Sequence, residues 1–356
     1  MAQSPLDDRQ TYAKQDPAGL HARIAGLPDQ MTEAYAAAGA VALPPEYAAA
    51  KRIAVLGMGG SGIGGSLLRA LAIDAGATTP VDIVRGYTLP AYVDGQTLAI
   101  ASSNSGNTEE VVSLLQQART RGAMCVAMST GGALLQFARD KDIPALVYEW
   151  QGEPRSALGW SFASLLGICG GLKLIPDASA DLAAAVEGMR AVVAACGIDA
   201  PEGSNAAKQL ARRLHDRVPV IAGADALAPV AYRWRTQINE NAKQWGVALE
   251  LPEMNHNTPV GYGGPPALVP LLHGVLLRRN DEHSRIAARV ELSRQQLEAG
   301  GVTAEVVETQ GASALEQMLW AVQLGDFASY YLGILNGADP SEVQALDWLK
   351  RRLAAD

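Results

Sequence analysis

The stretch that most restricts what this chain can become runs from Lys51 to Ser66, KRIAVLGMGGSGIGGS. A short apolar run, Ile53 to Leu56, meets a cluster of glycines, and a helical pattern through Leu67, Leu68, Leu71 and Ile73 follows. Strand, glycine turn, helix is the arrangement that aims backbone N–H groups at an anion. Glycine suits the turn because no Cβ keeps the backbone away from a ligand. The loop also matches G-x-G-x-x-G at Gly57, Gly59 and Gly62, the pattern of dinucleotide sites. Such a site needs an acid about 20 residues on, at the end of the next strand. Asp82 has the spacing but opens the run VDIV instead of closing it. The stretch therefore reads as a phosphate cradle, and a nicotinamide dehydrogenase is the alternative expected to fail.

Around the cradle, residues 51–150 alternate strand and helix. Strands are expected at Ile53–Leu56, Val81–Val84, Leu98–Ala101, Met124–Met128 and Ala145–Val147, with helices opening near Gly62, Thr108 and Gly132. Alternation with short connections predicts a parallel sheet covered on both faces, with ligands beyond the carboxyl ends of its strands. Residues 206–356 repeat this grammar without the glycine loop. Helices are expected at Ala206–Leu214, Pro229–Gln244, Glu282–Glu298, Ala314–Leu335 and Pro340–Leu353, and strands at Val218–Ala222, Ala267–Leu272 and Val302–Val307. A length of 356 residues fits two domains. We read 1–50 as an N-terminal helical arm, 51–175 as the first domain, 176–205 as a helical linker and 206–356 as the second domain with a C-terminal helix. The fold class is α/β, with two doubly wound domains and mainly parallel sheets. A net charge of −8 argues against nonspecific nucleic-acid or anionic-membrane binding. An anionic ligand must then be held by local dipoles and a few cations. No apolar stretch reaches the length of a membrane span, and the start MAQSPLDDRQ is too polar for a secretion signal. Cys125, Cys169 and Cys196 have no metal spacing and read as buried thiols of a reducing cytoplasm.

Four further places could carry chemistry. ASSNSGNTEEV, residues 101–111, again follows a strand and opens a helix, and it offers the hydroxyls of Ser103, Ser105 and Thr108. Alone it would be an ordinary helix cap with Thr108 as N-cap and Glu109 and Glu110 in the first turn. Two such loops after successive strands of one sheet read better as a dianion site. Arg155, between Pro154 and Ser156, is either a surface arginine or a cation aimed at developing negative charge. On the helix RWRTQINENAKQWG, Ala231, Trp234, Ile238 and Trp245 share one face, and Glu240 lies roughly 120° from it. Glu240 thus faces solvent, paired with Lys243, or faces a cleft, while Asn241 falls in the apolar stripe and needs buried partners. His256, in the irregular MNHNTPVGYGG, braces its loop or acts as an acid or base. The remaining histidines share no ligand spacing, so no metal is expected.

GMGGSGIGG, SSNSGNTEE, PRSALG, NENAK and PEMNHN, in this order, resemble the bifunctional phosphoglucose/phosphomannose isomerase family, whose members consist of two sugar isomerase (SIS) domains. The resemblance covers about residues 50–356, including the C-terminal LGDFASYYLGILNGADPSEVQALDWLK. It implies reversible, cofactor-free and metal-free isomerisation of glucose 6-phosphate and mannose 6-phosphate to fructose 6-phosphate. Carried over by motif, Gly59, Gly60 and Ser61 line the sugar-phosphate site, and Ser103, Ser105 and Thr108 hold the phosphate. Arg155 would stabilise the enediolate, Glu240 would be the base, and His256 the ring-opening residue supplied by the partner of a homodimer. Lys350, in LKRRL, would be a further active-site residue. The chain is longer than compact family members, mainly at its N-terminus and in the middle. The alternative from a different class is a non-catalytic SIS-type sugar-phosphate regulator, which would bind without turnover.

Overall fold

Alternation along β1 sorts one strand's side chains to two faces, and the architecture follows from that sorting. A computed structural model describes residues 4–353. Helices α1 (Arg9–Gln15), α2 (Leu20–Ala25) and α3 (Leu27–Gly39) precede β1 (Arg52–Gly57). Then come α4 (Gly59–Asp74), β2 (Val81–Val84), β3 (Thr97–Ser102), α5 (Glu109–Thr120), β4 (Met124–Ser129), α6 (Gly132–Asp140) and β5 (Ala145–Val147). Helices α7 (Leu158–Gly171), α8 (Ser179–Cys196) and α9 (Ala206–Leu214) lead to β6 (Val218–Ala224), α10 (Ala228–Ala242), β7 (Val247–Leu251) and β8 (Leu272–Arg278). The chain closes with α11 (Ser284–Ala299), β9 (Thr303–Glu308), α12 (Ala314–Leu335) and α13 (Gln344–Leu353).

The first sheet has the order β2-β1-β3-β4-β5 and the second β7-β6-β8-β9, and every pairing is parallel. Ile53 and Val55 face inward to a core that also takes Ile221, Val275 and Leu277 of the second sheet. Ala54 and Leu56 face outward and are covered by α5 and α6. Ala222 and Leu276 do the same under α11. The two sheets therefore share one central apolar core. Its axis is α12, apolar around its whole circumference and buried along nearly all its length, as expected of a helix with no solvent face. Helix α3 packs on α7, and Leu20, Ile24 and Leu27 are buried in this same core. No helix among the described residues is long and apolar enough to cross a membrane.

Several local expectations are corrected. Helix α4 begins at Gly59, three residues before the expected Gly62, so the cradle glycines form its first turn. The strand expected at Ala267–Leu272 is β8, Leu272–Arg278, because Pro270 has no N–H to give and Val269–Leu271 turns as a 3-10 helix. Strand β7 escaped the sequence reading altogether: it is a five-residue edge strand, half exposed, with little apolar signal. Helix α10 ends at Ala242, where Lys243 takes a left-handed conformation with φ 52°. Trp245, expected on the apolar face, lies past that end and is 78 % exposed. The C-terminal helix starts at Gln344, not Pro340.

Candidate active site

In both sheets the strand order reverses beside the first strand of the unit, and that crevice is where open parallel sheets bind ligands. In the first sheet it is flanked by the loops after β1 and β3, the two loops the sequence singled out. Ser61 lies in the first turn of α4 and accepts from the Asn104 N–H at 3.3 Å, so the loops are tied to each other. The hydroxyls of Ser103 and Thr108 are 2.9 Å apart, Gly106 N–H donates to Ser103 Oγ at 3.1 Å, and Asn107 N–H donates to Ser105 Oγ at 3.3 Å. Thr108 stands at the N-cap of α5, but its hydroxyl does not cap the helix. The first-turn N–H groups stay available to an anion.

Close approach explains two of the glycines. A Cβ at Gly106, which has φ +68°, would overlap the Gly131 carbonyl. A Cβ at Gly60 would lie 2.8 Å from the Pro154 carbonyl oxygen and 3.0 Å from the Arg155 Cα. The cradle is thus seated directly against the segment that carries Arg155. The second sheet has a degenerate copy of the same turn. Asp225 stands two residues after Gly223 with φ 48°, as Gly59 stands two residues after Gly57 with φ 49°. A carboxylate in that place would repel an anion, which a glycine does not.

Arg155 is 4 % exposed. Its Nε donates to Asn241 Oδ1 at 2.7 Å, Nη2 donates to the Pro340 carbonyl at 2.6 Å, and Nη1 reaches Glu240 Oε2 at 3.4 Å. Burial lowers its pKa from the usual arginine value, while Glu240 and Glu153 pull it back up. A guanidinium stays charged across any such shift. Next to it, Glu153 forms a two-pronged pair with Arg23 of α2, at 2.8 and 3.1 Å. Burial raises the Glu153 carboxyl, but the Ser341 hydroxyl and the cations of Arg23 and Arg155 outweigh it and leave the pKa lowered.

Glu240 lies in the last turn of α10, with its side chain 32 % exposed. It borders a cleft of about 530 Å³ whose other wall is the segment Glu342 to Leu346 at the start of α13. The expected side-chain pair with Lys243 is absent: Lys243 Nζ donates to the Glu240 main-chain carbonyl at 2.6 Å, leaving the carboxylate to Arg155. Asn241, in the apolar stripe as expected, is fully buried and finds two partners, Arg155 and Ser329. No hydrogen bond or ion pair among the described residues ties His256 or Lys350 to this cluster. His256 is exposed in the loop after β7, and Lys350 is exposed on α13, which has no buried residue at all.

Some neighbours were not singled out from the sequence. Arg85, just past the end of β2, donates to Ser66 Oγ at 3.0 Å, and a Cβ at Gly62 would be 3.5 Å from its Nε. Its signal was only its place after a strand. Arg233 and Asp326 form a buried pair behind Arg155, and their signal was a charge inside an otherwise apolar run.

The chain matches the family model of the SIS domain over residues 46–143 and that of the bacterial phospho-glucose isomerase C-terminal SIS domain over residues 203–353. It is 35% identical to the bifunctional phosphoglucose/phosphomannose isomerase of Caldicellulosiruptor bescii, over 93% of this chain and 98% of that protein. To the enzyme of the same name from Aquifex aeolicus it is 31% identical, over 85% of this chain and 90% of the other. Among solved structures, the fold is similar to a hypothetical protein from Thermus thermophilus, with a TM-score of 0.74 at 16% identity, covering 98% and 94% of the two chains. A glucose-6-phosphate isomerase like protein from the same organism gives 0.64 at 20% identity, covering 97% and 100%.

Proposed function

The chain belongs to the bifunctional phosphoglucose/phosphomannose isomerase family, and from that membership we propose that it interconverts glucose 6-phosphate, mannose 6-phosphate and fructose 6-phosphate through an enediolate, without a metal or cofactor. The observation that carries this reading is the Arg155–Glu240 contact at 3.4 Å, made by an arginine whose backbone sits against Gly60. Its side chain runs from cradle to carboxylate, and a six-carbon phosphate ester has to cover the same interval.

The steps follow from the residue types. The loops of Gly59, Gly60 and Ser61 and of Ser103, Ser105 and Thr108 bind the phosphate, and that binding energy orients the reacting carbons. A ring-opening acid–base group exposes the carbonyl form, and His256 is assigned that step. Glu240 removes the C2 proton and returns it at C1. Arg155 stabilises the negative oxygen formed in between. If the C2 proton returns on either face, after rotation about C2–C3, both aldose phosphates are substrates.

Among the described residues His256 and Lys350 make no bond to Glu240, and we assign them to a site completed by a second copy in a homodimer. The apolar side chains Leu346, Leu349 and Leu353 along exposed α13 support such a partner. Three buried free thiols fit the cytoplasm. A coupled assay on all three sugar phosphates, with and without chelator, tests the reading. Fructose 6-phosphate forming from both aldoses at the same rate in chelator is expected. Loss of turnover in chelator overturns the metal-free mechanism. Tight binding without turnover overturns the enzyme in favour of a regulator.

A further inference from the structure

We propose that the buried Arg233–Asp326 pair is a positioning unit for Arg155, which it holds by the main-chain carbonyl. The pair lies on α10 and α12, and the two residues are 1 % and 2 % exposed. It is two-pronged, Nε to Oδ1 at 3.1 Å and Nη2 to Oδ2 at 2.6 Å. Gln237 Nε2 adds a third bond to Asp326 Oδ1 at 3.1 Å.

The bonds around the pair close into a ring. Arg233 Nη2 also donates to the Arg155 carbonyl at 3.1 Å. On the other side, the main-chain carbonyl of residue 326 accepts from Ser329 Oγ at 2.8 Å, a bond within α12 that any side chain at 326 would leave in place, and Ser329 Oγ accepts from Asn241 Nδ2 at 2.9 Å. Asn241 Oδ1 in turn accepts from Arg155 Nε at 2.7 Å. The circuit thus leaves Arg155 at its backbone and returns to it at its side chain. Fold stability alone does not call for this. A buried ion pair replaced by apolar residues of similar volume is often no less stable. What apolar residues cannot supply is a donor for the Arg155 carbonyl. A guanidinium that stabilises charge in a transition state must already be in place, since a small misplacement forfeits much of its effect.

The inference rests on the isomerase reading for its kinetic readout, so the test carries a second readout that does not. Asp326→Asn keeps the shape and removes the charge. The double variant Arg233→Met/Asp326→Leu restores apolar packing and gives the test a folded protein if the single variant fails to fold. In the full chain, kcat and KM for fructose 6-phosphate are measured beside the affinity of a phosphorylated hydroxamate that mimics the enediolate. The Nε–H signal of Arg155 is followed by nitrogen-15 NMR, assigned by its loss in Arg155→Lys. We expect kcat to fall about 10- to 100-fold with KM within about twofold, and hydroxamate affinity to fall in proportion to kcat. The double variant regains the melting temperature but not kcat. In both variants the Nε–H exchanges at least about tenfold faster, since freeing the main chain that carries Arg155 loosens its bond to Asn241. A double variant with wild-type kcat and an unchanged Nε–H overturns the proposal, because the pair is then packing alone. Wild-type protein without turnover refutes the isomerase reading instead, and the exchange rate still decides the positioning role.

Discussion

At the scale of single residues, the site turns on a cation that has lost its water. Arg155 spends its donors on Asn241, Pro340 and Glu240, so its charge is fixed before any substrate arrives. Lysine cannot reproduce that fork. Arg155→Lys is expected to lower kcat by about 10²–10³ while KM for the sugar phosphate changes little, which steady-state kinetics will read. Glu240→Gln should abolish turnover and leave phosphate-sugar binding intact, as measured by calorimetry; retained turnover removes Glu240 from the role of base. Far from the site, Glu305 bonds His273 at 2.8 Å and Arg213 at 2.7 and 2.9 Å. Burial raises its carboxyl, but the hydrogen bonds from His273 and Arg213 and the Arg213 charge win and hold it at about 2, against an ordinary 4.5. A depressed carboxyl stabilises the fold above its unfolded pKa and loses that contribution as pH falls through the folded one. The urea midpoint of wild type should therefore drop from about pH 4.5 downward, and Glu305→Gln should show a lower midpoint at pH 7 with a shallower acid slope. Glu240's place off the apolar face was legible from helical spacing alone. That Lys243 would bond the Glu240 backbone was not, because it depends on how α10 ends.

Among the elements, the central strands were the plainest. In the first sheet β1, β3 and β4 are buried on both faces, and runs such as Leu98–Ala101 stand out in a sequence for that reason. In the second sheet β7 is a short, half-exposed edge and β8 begins only after Pro270, so the apolar residues before it belong to a turn. The glycine turn was legible as a turn but not in register: α4 starts within the glycines, a matter of φ at Gly59 that no periodicity reports. The loop after β3 makes a prediction of its own. Gly106→Ala places a methyl on the Gly131 carbonyl in a left-handed turn. We expect a raised KM for every sugar phosphate, with a lowered melting temperature and a smaller change in kcat; a variant with wild-type KM would show that this loop does not grip phosphate.

For the whole molecule, the two sheets behave as unequal copies. One has Gly59 in the left-handed turn after its first strand, and the other carries Asp225 in the matching place. His256 and Lys350 are exposed in the second half; His256 read from its loop as a brace or an acid or base, and Lys350 was reached only through the resemblance. A pattern along one chain cannot say which copy of that chain a side chain serves. Complementation can. Co-expressed Glu240→Gln and His256→Ala chains, each inactive alone, should recover about a quarter of wild-type activity if sites are shared, since half the dimers are mixed and each mixed dimer has one intact site. No recovery would place both residues in one subunit's site. A final consequence concerns the strap between α12 and α13. It meets the arginine through the backbone oxygens of Pro340 and Ser341, at 2.6 and 3.5 Å. Oxygens of that kind belong to no particular amino acid. Exchanging residues 340 and 341 one at a time would leave this grip untouched, while deleting one of them would shift it, so tolerance to substitution there would conceal how closely the reaction depends on the path the chain takes.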